Sequence, residues 1–104
     1  MSAELKCVSP VDGTVFAVRE ALSLAVARQA VAEAHAAQAE WAARPLAERI
    51  DLVKAAVAII GVQNDDIVPE LAWQMGRPVR YSGEFGGFQE RASYMADIAL
   101  RSLA

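Results

Sequence analysis

Residues 40–49 read Glu40-Trp41-Ala42-Ala43-Arg44-Pro45-Leu46-Ala47-Glu48-Arg49, where one helix ends and a second begins. Upstream, Ser23 is a candidate N-cap for a helix over about 23–42. Leu24, Ala27, Val31, Ala34 and Trp41 recur there at helical spacing, with Arg28, Gln29, Glu33 and Glu40 elsewhere. That stripe is mostly small, so a neighbouring element can approach closely. Pro45 suits the first turn of the second helix, over about 45–62, because its missing N–H has no intrahelical partner there. Leu46, Ile50, Val53, Val57 and Ile60 form its apolar face. Arg44 with Glu48, and Asp51 with Lys54, are spaced to pair on the outside, each worth roughly a few tenths of a kcal/mol.

Toward the C-terminus, Gly61 weakens the second helix near its end, and Asn64-Asp65-Asp66 reads as a fresh N-cap with first-turn acids. A shorter helix over about 65–75 carries Ile67, Leu71 and Met75 along one side. Pro69 fits it only within the first turn. Gly76 caps its C-terminus, Arg77 sits where a helix end favours positive charge, and Pro78 prevents continuation. A last helix, over about 83–103, begins between Ser82 and Gly87. Phe85, Phe88, Ala92, Met95 and Ala99 share one of its faces. Gly86 and Gly87 each cost roughly 1 kcal/mol inside a helix, so close backbone packing or a loose helix start is expected there.

The N-terminal part differs. Leu5 to Val8 is strand-like, Ser9-Pro10-Val11-Asp12-Gly13 reads as a turn, and Thr14 to Val18 is rich in β-formers. Together, about 5–18 predict a β-hairpin, which is marginal in water unless it packs on something. The expected fold class is mainly α: an N-terminal β-hairpin followed by about four helices.

The chain has 104 residues, enough for one domain with a modest core. Its hydrophobic fraction is 55%, but much of that is alanine, which favours helix and buries little area. The core is therefore thin unless another surface covers the larger side chains. The net charge of −3 argues against a nucleic-acid partner, since phosphate binding needs clustered Lys and Arg. No apolar stretch has membrane-spanning length, and Met1-Ser2-Ala3-Glu4 is not the start of a signal peptide. The lone Cys7 cannot form an internal disulfide, and a reducing, cytoplasmic setting is expected.

No residue pattern predicts a catalytic, cofactor-binding or metal site. Cys7 lacks a base or positive field to lower its pKa, since the sole histidine, His35, lies in the first helix. His35 has no second ligand at metal spacing. Asp65 and Asp66 are adjacent on a helix and do not face each other, and Glu84 and Glu90 fall on different faces. Gly83, Gly86 and Gly87 lack the preceding strand of a dinucleotide loop. Arg77 and Arg80 are explained by helix capping and solvation as readily as by a bound anion. Tyr81, Tyr94 and Trp73 read as core or interface residues.

The order of motifs resembles the start of the aldehyde dehydrogenase superfamily. Ser9-Pro10-Val11-Asp12-Gly13 resembles the family's Asn-Pro-x-x-Gly turn. Glu40-Trp41, then Pro45 to Arg49 and Leu52-Val53-Lys54, resemble its Trp…Arg signature. Glu70 to Pro78 is similar to its Glu-Leu-Ala…Glu-x-Gly-Lys-Pro stretch, with Gln74 and Arg77 where members usually have Glu and Lys. Glu84 and Tyr94-Met95-Ala96 match its Glu…Tyr-Tyr-Ala spacing. The resemblance runs from Val8 to about Ala99.

The resemblance implies that 1–104 is an N-terminal segment of an NAD(P)⁺-dependent enzyme that oxidises an aldehyde to a carboxylic acid. The family's nucleophilic cysteine, its glutamate base, its oxyanion donors and its dinucleotide site all lie downstream of such a segment, and Cys7 does not align with the nucleophile. This chain is then expected to hold no cofactor and no activity, whereas the parent would use NAD or NADP. Its expected role is to build and cover the cofactor domain. Its expected partners are the remainder of the dehydrogenase chain and, through uncovered apolar helix faces, other copies of itself. The abrupt end at Ala104 fits a fragment. The other reading is a self-contained helical interaction or oligomerisation module, with a well-covered core.

Overall fold

The computed structural model describes residues 3–81 and 84–103, with the side chain of Tyr81 outside the description. Strands β1 (Glu4–Val8) and β2 (Val15–Glu20) are followed by helices α1 (Leu24–Ala43), α2 (Leu46–Val62) and α3 (Asn64–Met75). A one-turn 3₁₀ helix (Val79–Tyr81) then leads to α4 (Glu84–Ser102). The chain is mainly α, with an antiparallel N-terminal hairpin and four α-helices among the described residues. Ser82 and Gly83, where the last helix was expected to begin, lie outside the described residues, as does Ala104.

The hairpin pairs Glu4 with Glu20, Leu5 with Arg19, Lys6 with Val18 and Cys7 with Ala17, and a bulge between Cys7 and Val8 sets Val8 opposite Val15. Its turn closes on backbone bonds from Ser9 N–H to Thr14 C=O (2.8 Å) and from Gly13 N–H to Ser9 C=O (2.9 Å). Gly13 has a φ of 76°, which a residue with a Cβ adopts only at a cost. The Asp12 carboxylate accepts from the Thr14 N–H (3.0 Å) and hydroxyl (2.8 Å), and these bonds hold it below the ordinary aspartate value.

Ser23 caps α1, its hydroxyl oxygen accepting from the Val26 N–H at 3.2 Å. Arg44 ends that helix in an extended conformation with a ψ of 143°, as the steric demand of the following proline requires. Pro45 is the N-cap of α2, so it stands just outside the helix rather than within its first turn. Neither Arg44–Glu48 nor Asp51–Lys54 closes to an ion pair. Ion pairs among the described residues include Lys6–Glu4 and Arg77–Glu84. Both expected pairs are exposed, where water screens the attraction and side-chain entropy opposes it.

Two expectations for α3 are corrected. Gln63, not Asn64, precedes the helix, and no side chain caps it. The Asp66 and Ile67 N–H groups instead bond the Gln63 carbonyl, both at 3.0 Å, so one backbone acceptor takes over the cap's work. Pro69 then lies inside the helix, past its first turn. It denies the Asp65 carbonyl its usual partner, and water can reach that exposed residue instead. Gly76 ends α3 in the left-handed region with a φ of 70°.

Packing is sparse. The sustained helix pair is α2 with α4, and Ala96 on α4 is the buried apolar residue between them among those described. Helix α1 packs against no other element over any length, and all but Ala27 of its residues are exposed. The radius of gyration is 18.1 Å, against about 13 Å for a compact chain of this size. The accessible surface is 8268 Å², against about 5,700 Å² for a folded monomer of 11.1 kDa. About 2,600 Å² of surface that an ordinary fold would bury is therefore open.

Candidate functional site

Two features are built by residues distant in sequence. The first is the joint between the hairpin and α3. Ser9 is fully buried and donates its hydroxyl to the Trp73 carbonyl at 2.6 Å. The same oxygen accepts from the Val11 N–H at 3.2 Å. Phe16 of β2 stacks on the Trp73 ring, with centroids 6.4 Å apart and planes at 8°. Pro10 lies against Gly76, where an added Cβ would sit 3.0 Å from the proline Cγ. The hairpin is thus held by one polar bond and two small apolar contacts. Ser9 was legible only as a turn residue, since no local signal marks a bond to a carbonyl 64 positions away.

The second is an apolar groove between α2 and α4, with a volume of about 300 Å³. Ala92, Ala96 and Ala99 contribute small side chains from α4, while Trp41, Leu46, Ile50 and Leu103 stand around them. Arg49 is the charged residue in the lining, and its Nε is buried without a hydrogen-bond acceptor. Arg49 falls between Leu46 and Val53 at helical spacing, so its place on the apolar face is readable from sequence.

Cys7 is a half-buried free thiol opposite Ala17. His35 is exposed on α1, and no group of three potential ligands is placed to hold a metal among the described residues. Asp65 and Asp66 occupy the first turn of α3, exposed to solvent, and Glu90 is exposed on α4. Arg77 is ion-paired to Glu84, and Arg80 is not free either, so neither waits for an anion. Tyr94 is 56% exposed and Trp73 43%, with the Trp73 ring stacked on Phe16. Gly86 and Gly87 lie within α4, and an added Cβ at either meets nothing within 4 Å. Close packing is therefore not their reason. It occurs instead at Gly61, where a Cβ would lie 2.6 Å from the Phe85 ring.

The described residues do not fit a dinucleotide. The strands among them form a lone antiparallel hairpin, not the parallel sheet that presents a pyrophosphate to a helix N-terminus. Helix α4 follows a 3₁₀ turn, and its first turn carries Glu84, whose charge opposes a phosphate.

The aldehyde dehydrogenase family profile matches residues 1–103. The chain belongs to the aldehyde dehydrogenase family. It is an N-terminal segment of an aldehyde dehydrogenase-type protein, and its hairpin and helices form part of such a domain. No curated protein and no solved structure matches it. No helix among the described residues of this aldehyde dehydrogenase segment is long and apolar enough to cross a membrane.

Proposed function

We propose that this chain is a scaffolding segment of an NAD(P)⁺-dependent aldehyde dehydrogenase that oxidises an aldehyde to a carboxylic acid, and that the segment by itself is inactive. The observation that carries the reading is the open surface. A chain with about 2,600 Å² of surface beyond that of a folded monomer has helix faces shaped for something else to cover. The remainder of the dehydrogenase chain is the partner that family membership suggests. In its absence, the apolar faces drive self-association. A self-contained module would cover its own core, and the radius of gyration of 18.1 Å weighs against that alternative. The net charge of −3 weighs against a nucleic-acid partner, and the free Cys7 suits a reducing, cytoplasmic setting.

The test is an assay for reduced cofactor by absorbance, with the purified chain, NAD⁺ or NADP⁺, and aliphatic and aromatic aldehydes in turn. No turnover above buffer is expected. Turnover that co-purifies with the chain, whether or not Cys7→Ser abolishes it, would mean that the segment itself does chemistry, and the reading fails.

A further inference from the structure

We draw no further inference here: the strongest candidate, the apolar groove between α2 and α4 with the unpartnered Arg49 Nε in its wall, is an uncovered face, and nothing in the structure shows what covers it.

Discussion

Gly61 on α2 and Phe85 on α4 meet so closely that a Cβ on the glycine would lie 2.6 Å from the ring Cζ. Real side chains do not tolerate that distance, so the missing Cβ lets the aromatic ring lie on the helix. The contact fixes one end of the α2–α4 pair, and the Ala96 contact lies further along α4.

Gly61→Ala therefore sets two effects against each other. The helix gains up to about 1 kcal/mol of propensity, less near its end. The overlap with Phe85 forces the ring to move, at a cost of about 1–3 kcal/mol. Net destabilisation is expected in urea titrations. In a Phe85→Ala background the same substitution should be neutral or stabilising, and that sign change is the diagnostic.

Ser9→Ala removes the hydroxyl that meets the Trp73 carbonyl. It leaves two part-buried backbone groups to water, at a cost of about 0.5–1.5 kcal/mol. The hairpin should loosen from α3, with faster amide exchange through Val15–Glu20 and a red shift in tryptophan emission. Unchanged exchange would show that Phe16 on Trp73 suffices to hold the hairpin.

Pro69→Ala gives the Asp65 carbonyl a helical partner and removes the ring from the α3 interior. Helix propensity favours the variant by about 3 kcal/mol, offset by about 0.4–1 kcal/mol from the looser unfolded chain. A higher midpoint of thermal unfolding is expected. A lower one would mean that Pro69 orients α3 for its contact with the hairpin.

The Asp12 turn should respond to acid. Its carboxyl is held below the ordinary value of 3.8 by the Thr14 N–H and hydroxyl, so folding favours the ionised form. The stabilisation is complete above the unfolded value and is lost as pH falls through the lower, folded value. Carboxyl-carbon NMR should show Asp12 titrating below 3.8, with the Thr14 amide shifting along with it. Titration at or above that value would contradict the turn geometry.

The sequence was most legible where the deciding chemistry is local. Ser23 announces its cap, Gly76 its left-handed helix end, and the Asp12-Gly13 pair its turn, because each acts on residues within a few positions. The fold class followed from such signals. Contacts between elements were not legible. Gly61 read as a weakness in a helix, and its purpose lies in a ring 24 positions away. Gly86 and Gly87, for which close packing and a loose helix start were both open, fall in the first turn of α4 with open space around them, since a close-packing glycine and an exposed one look alike in sequence. Pro69 was misplaced because the Gln63 carbonyl starts α3 earlier than an Asn64 cap would. Arg49 could have been found, because a cation in the middle of an apolar stripe always asks what accepts from it.

The most direct measurement is calorimetric titration of the purified chain with NAD⁺ and with NADP⁺. The account predicts only heats of dilution for either nucleotide, up to roughly millimolar concentration. A saturable isotherm of micromolar affinity would contradict it, because a dinucleotide site would then exist in a chain read here as scaffold alone.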